Sequence, residues 1–264
     1  MRHLKLLMVG FSATSMLLAC NTQSGDVESE TVDDETVDEN EAQTEVASAD
    51  TGDSEDEDFK DVSPSSSESE VLNAAESLES YEADVHISAG IDDNNPEELA
   101  LYIRAINGED KQLHIRADDA DRTIHTGGKT YHNNGTEWVD ITGDVEFNQL
   151  HRITYASAVY VFSELEGRLE LTEDDEMNVY TYTGTDGDVH NLFEDFLGVS
   201  FGVVDTTNNS NEVTFQVDKE THYITQIDFE STGEDSEGKF MLSSVVQFLE
   251  FNNVDDIEAP ELAE

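Results

Sequence analysis

The chain has 264 residues, with 62 Asp and Glu against 12 Lys and Arg and a formal net charge of −50. That balance excludes nucleic acid as a partner, because phosphate binding needs basic patches. It also makes the compact state repel itself unless salt screens the charge, which points to a salt- or alkali-tolerant source, with an acidic protein of an ordinary bacterium as the alternative.

Arg2, His3 and Lys5 give the chain a positive start, and from Leu6 to Ala19 no residue is charged. A positive start, an apolar run too short to span a bilayer and a small residue at its end predict a secretory signal peptide over residues 1–19. The stretch Leu17-Leu18-Ala19-Cys20 resembles a bacterial lipobox. That resemblance implies cleavage before Cys20 and a thioether-linked diacylglycerol on its sulfur. Cys20 is the single cysteine, so no internal disulfide can form, and acylation accounts for its position. Two acyl chains (palmitate, for example) anchor stably, at about 0.8 kcal/mol per buried CH₂. An ordinary signal with an incidental cysteine, or an uncleaved anchor, are the alternatives.

Residues 20–70 are acidic, with Lys60 the one basic residue and Phe59 the one aromatic. Such a segment buries too little apolar surface to offset chain entropy and is expected to be a disordered tether. A flexible chain of this length spans about 40 Å, and anionic lipid headgroups repel its acids. The tether is therefore expected to hold the rest of the chain, residues 71–260, away from the membrane.

That domain opens with a helix, "SESEVLNAAESLES", in which Val71, Leu72, Ala75 and Leu78 share a face. The period then changes to two. Tyr81, Ala83, Val85, Ile87, Ala89 and Ile91 alternate with mostly polar residues, as do Leu99, Leu101, Ile103 and Ala105, and then Leu113, Ile115 and Ala117. This is the pattern of a one-sided antiparallel sheet. Gly127-Gly128 and Asn134-Gly135 each predict a two-residue hairpin turn, with Trp138 on the sheet edge. Phe147, Leu150, Ala158, Val159, Phe162 and Leu165 fall near helical spacing. "RLELTEDDEMNVYTYTGT" returns to strand, and "DGDVHNLFEDFLG" predicts a short helix with Asp188 as its cap and Leu192, Phe193, Phe196 and Leu197 as its apolar face. A hairpin around Asp218 to Thr221 follows, and then a strand with Phe240, Leu242, Val246 and Phe248 on one face.

Few residues suggest chemistry. Gly198-Val199-Ser200-Phe201-Gly202 fits G-x-S-x-G, but a nucleophile elbow needs a strand before the serine and a helix after it, and here a helical run precedes it. A two-residue turn at Gly127-Gly128 puts His125 and His132 diagonally on one sheet face, to which His86 or His114 could add, but two ligands do not make a zinc site. No phosphate loop, zinc-protease motif or EF-hand loop is present. No catalytic residue, metal or cofactor is predicted.

The order of LLAC, tether, "VLNAAESLESYEADVHIS", "GGKTYHNNGTEWVDI", "VTFQVDKETHYITQIDFE" and "FLEFNNVDDIEAP" resembles a Gram-positive (Bacillota) lipoprotein family. It is also similar to the wider LolA/LppX-type lipoprotein superfamily. The resemblance implies an α+β fold, a curved antiparallel β-sheet forming a half-open barrel with helices packed on its concave face. In some members the hollow carries a lipid or other amphiphile. The expectation is a non-enzymatic lipoprotein on the extracytoplasmic face of the cell membrane, membrane-bound through Cys20. Phe147, Tyr155, Val159, Phe162, Leu192, Phe193 and Phe196 are its candidate cavity residues. The alternative is an envelope structural module with a filled core that contacts other envelope proteins.

Overall fold

The computed structural model describes residues 66–91, 96–173, 175–200, 206, 209–234 and 238–262, together with the backbone of Leu7 and Met8. Cys20, the rest of the signal segment and residues 20–65 of the tether lie outside the described residues, as do Phe201 and Gly202 of the G-x-S-x-G stretch.

The short strand β1 (Leu7–Met8) pairs antiparallel with β10 (Val199–Ser200). Everything else is organised by one eleven-stranded sheet. Helix α1 (Ser66–Glu76) leads into β2 (Ser80–Ile91), β3 (Glu97–Ile106), β4 (Gln112–Ala117), β5 (Ala120–Thr126), β6 (Lys129–Asn133) and β7 (Trp138–Asp140), each pairing antiparallel with the next. Helix α2 (Tyr155–Glu164), β8 (Glu170–Glu173), β9 (Met177–Gly184), α3 (Gly187–Leu197), β10, β11 (Asn209–Asp218), β12 (Ile224–Glu234) and β13 (Lys239–Leu249) complete the chain. The sheet order is β7-β6-β5-β4-β3-β2-β13-β12-β11-β9-β8. The last strand thus docks beside the first, with Val246 opposite Val85 and Phe248 opposite Ala83. The two meanders run outward to separate edges, β7 and β8, and the sheet stays open. This is an α+β fold built on a large curved antiparallel sheet.

Period-two patterning sorts the two faces. Ala83, Val85 and Ile87 of β2, Ile103 of β3, Leu113 and Ile115 of β4, Phe215 of β11 and Leu242, Val246 and Phe248 of β13 are almost fully buried on one face. The helices cover that face. Phe162 of α2 meets Tyr180 and Phe215 edge-on at 5.0 and 5.2 Å between ring centroids, and Phe193 of α3 stacks on Phe229 at 3.9 Å. Each such aromatic contact adds about 0.5–1.5 kcal/mol to the area it buries.

The opposite face carries a smaller cluster. Ile124 and Tyr131, cross-strand partners on β5 and β6, pack with Ile257 of the C-terminal segment and with half-buried Trp138. That segment is fastened across the sheet by polar contacts. Asn252 takes the Glu79 N–H on its Oδ1 at 2.7 Å, Arg104 donates to the Asp255 carbonyl at 3.1 Å, and the Ile257 N–H donates to Gln112 Oε1 at 2.6 Å.

Several local expectations are corrected. Gly127 and Gly128 do form the two-residue turn, both with φ near the left-handed region, at 58° and 70°. Asn134-Gly135 does not. Asn133 pairs with Trp138, so the loop holds four residues, because Asn134 Oδ1 accepts from the backbone N–H groups of Thr136 and Glu137 and widens the turn. The helical spacing from Phe147 to Leu165 is split. Phe147–Gln149 form one turn of 3-10 helix, and α2 starts afresh at Tyr155 under a Thr154 cap whose hydroxyl accepts from Ser157 N–H at 2.9 Å. Helix α3 is capped by Asp186 rather than Asp188, since Asp186 Oδ1 accepts from the Asp188 N–H at 3.0 Å, and Gly198 ends it in the left-handed conformation. Ser200 therefore follows a helix, the reverse of a nucleophile elbow.

Candidate functional site

The helices leave part of the sheet face unfilled. A hollow of about 790 Å³ lies where α1, α2, α3 and the 3-10 turn meet the ends of β2 and β3. That falls inside the size range of small-molecule pockets, roughly 300–1,000 Å³. Its walls are mostly apolar, including Leu78, Ala105 and Val161.

Five of the seven sequence-derived candidates come together here: Phe147, Tyr155, Val159, Leu192 and Phe196 all line the hollow. Phe162 and Phe193 do not. Both point from the same helices into the packed core, against Tyr180 and Phe215 and against Phe229.

The wall is held by backbone-directed hydroxyls. Tyr155 N–H donates to Tyr81 Oη at 3.2 Å, and the Tyr155 hydroxyl accepts from Ile224 N–H at 2.9 Å. Phe248, Phe251 and Tyr223 surround the Tyr155 ring edge-on at 5.1–6.0 Å. Burial pushes the Tyr81 phenol up to about 12 and raises Tyr155 as well, so both stay protonated near neutrality and act as structural hydroxyls.

Charged groups stand among the apolar ones on the wall: Glu76, Lys111, Arg152 and Asp195. The Lys111 ammonium lies 5.3 Å over the Phe147 ring, and His125, outside the lining, packs edge-on against that ring at 4.8 Å. Arg152 pairs with Asp195 across the rim at 3.6 Å. His151, in the link between the 3-10 turn and α2, also lines the hollow. Its ring is half-buried, yet both nitrogens are sealed from solvent and neither has a hydrogen-bond partner. Desolvation pushes the imidazole down to about 4, so it is neutral near neutrality. Lys111, His151 and Arg152 were not identified in the sequence. A histidine inside "QLHRIT" carries no spacing signal, and only the break between the 3-10 turn and α2 turns it toward the hollow.

A smaller hollow of about 440 Å³ has Glu98, Glu212, Asp228 and Glu230 beside His86. His125 and His132 do share a sheet face, opposite Thr130 and Thr123 respectively, with His125 Nδ1 2.8 Å from Thr130 Oγ1. Burial lowers both imidazoles. Among the described residues no three His, Cys, Asp or Glu side chains converge as a metal-ligand set, and no helix is long and apolar enough to cross a membrane.

No family model and no curated protein matches the chain. Among solved structures, it is similar to a LolA superfamily protein from Nitrosomonas europaea, at 14% identity and a TM-score of 0.27, covering 73% of this chain and 94% of that one. It is likewise similar to a domain from Vibrio parahaemolyticus described as an outer membrane lipoprotein-sorting protein domain, at 8% identity, a TM-score of 0.26 and coverage of 72% and 92%. A third is the MucA/MucB complex of Pseudomonas aeruginosa, at 11% identity, a TM-score of 0.30 and coverage of 69% and 56%. These scores are low, and the fold described above rests on the chain's own strand order and register.

Proposed function

We propose that residues 71–260 form a non-enzymatic binding domain that holds an apolar or amphiphilic ligand in the hollow beside α2. We further propose that it works on the extracytoplasmic face of the cell membrane, anchored through lipidated Cys20 after removal of residues 1–19, with residues 20–70 as its tether. The observation that carries the binding reading is the hollow itself. It is of ligand size and mostly apolar, and its wall is anchored by the Tyr81 and Tyr155 hydroxyls rather than free to collapse. A mostly apolar wall of this kind favours acyl chains or other greasy groups.

The experiment is extraction of the purified chain with organic solvent, followed by mass spectrometry. Co-purifying amphiphile, or uptake of a fluorescent fatty acid by the stripped protein, supports the reading. Repeated absence of both rejects it in favour of an envelope structural or interaction module with a filled core. Incorporation of labelled palmitate at Cys20, lost in Cys20→Ser, tests the anchor separately.

A further inference from the structure

We infer that the ligand is a single-chain amphiphile with an anionic oxygen headgroup, and that the headgroup lodges at His151 with the Lys111 ammonium as its countercharge. This rests on the amphiphile reading of the same hollow. Two independent observations point to the headgroup.

The first is His151. Both of its ring nitrogens are shut off from water, and neither has a partner among the described residues. A buried polar group without a partner is rare in native structures and asks for an unseen one. His151 is among the residues that line the 790 Å³ hollow, so a group bound there can supply the missing partner once the ring turns a nitrogen toward it. Being neutral, the imidazole presents one N–H donor and one acceptor nitrogen. An anionic oxygen takes that N–H without a further proton.

The second is Lys111. Acids outnumber bases 62 to 12 in this chain, so a lysine has carboxylates to choose from. Yet the Lys111 ammonium lies over the Phe147 ring at the wall of the hollow and makes no ion pair among the described residues. Arg152 is already answered by Asp195, and Glu76 at the end of α1 is exposed. The wall is thus a local exception to the negative field of the chain, with as many bases as acids. A cationic headgroup would be repelled by Lys111, whatever it gained at the acceptor nitrogen of His151. A hydroxyl or ester headgroup could use His151 but would leave Lys111 unengaged. An anionic oxygen uses both, while the acyl chain takes the apolar wall.

The test is displacement of a fluorescent fatty acid from the full chain by chain-matched competitors: palmitate, a palmitoyl lysophosphatidate, methyl palmitate, hexadecanol and hexadecyltrimethylammonium. Palmitate or the lysophosphatidate displaces the probe at concentrations about tenfold below the ester, alcohol and cation, a difference of about 1.4 kcal/mol. Whichever of the two anions is held more tightly names the source of the headgroup. Lys111→Met, a change at an exposed side chain, and His151→Leu both abolish the preference. Equal affinity for acid, ester and alcohol in the unmodified chain overturns the headgroup inference and leaves the amphiphile reading standing. Retention of the full preference in Lys111→Met also overturns it. Failure of every probe to bind overturns the amphiphile reading itself.

Discussion

The hydroxyl of Tyr155, at the first turn of α2, accepts the backbone N–H of Ile224, at the start of β12, across 2.9 Å. These two residues lie 69 positions apart in the chain, and their contact ties the helix that walls the hollow to the sheet beneath it. Tyr155→Phe keeps the ring and its four aromatic neighbours but leaves a buried N–H without its acceptor. The expected cost is about 1–3 kcal/mol of unfolding free energy, read by urea denaturation. Ligand affinity falls with it, because the ring that lines the hollow loses its anchor.

The two classes of aromatic side chain on the helices separate by mutation. Phe162→Ala empties a site wedged between Tyr180 and Phe215 and costs about 3–5 kcal/mol. Leu192→Ala, on the wall of the hollow, removes contacts that face open space on one side. It costs well under the roughly 2–5 kcal/mol of a core Leu→Ala change, while shifting ligand affinity more than Phe162→Ala does. Parallel denaturation and fluorescent-ligand titration of the two variants check both halves.

His151 makes stability depend on pH in a defined direction. Its folded-state imidazole titrates near 4, below the ordinary 6.5 of the unfolded chain. Between those values the unfolded state binds the proton and the folded state does not. The contribution is therefore intact above 6.5 and is lost as pH falls toward 4, by at most about 3 kcal/mol for the whole interval. Because carboxylates titrate in the same range, the readout is a difference. Between about pH 7 and about pH 5, His151→Leu loses less stability than the unmodified chain, by about 1–2 kcal/mol.

The C-terminal segment has a built-in reporter. Trp138, the single tryptophan, packs beside Ile257, Ile124 and Tyr131 on the face away from the helices. Ile257→Ala removes the apolar anchor of the segment, with an expected cost of about 2 kcal/mol, at the low end for such a change. Tryptophan emission shifts to the red while far-ultraviolet circular dichroism stays unchanged, since no strand of the large sheet is lost.

The strands were legible because a half-buried sheet writes its faces into alternate residues. Tyr81 to Ile91 and Phe240 to Phe248 alternate, and the structure places them side by side. That β2 and β13 are neighbours was not legible, since pairing between the first and last strands leaves no local mark. The helices were legible as apolar stripes, but a stripe does not say what it faces. Phe162 and Phe193 share helices with Val159 and Phe196, and only the third dimension assigns one pair to the core and the other to the hollow. Asn134-Gly135 misled because the Asn134 side chain, not the dipeptide's φ preference, sets that loop. His151 and Lys111 left no trace, because an unanswered polar group is defined by what surrounds it.

The central claim is that the hollow beside α2 takes up an acyl chain, and a filling substitution tests it most directly. Ala156 is exposed on α2 and lines the hollow, so the indole of Ala156→Trp takes up part of that space without touching the core. Titration with a fluorescent fatty acid should show saturable uptake by the unmodified chain and clearly weaker uptake by Ala156→Trp at equal thermal stability. Uptake that is absent in both, or identical in both, would contradict the account.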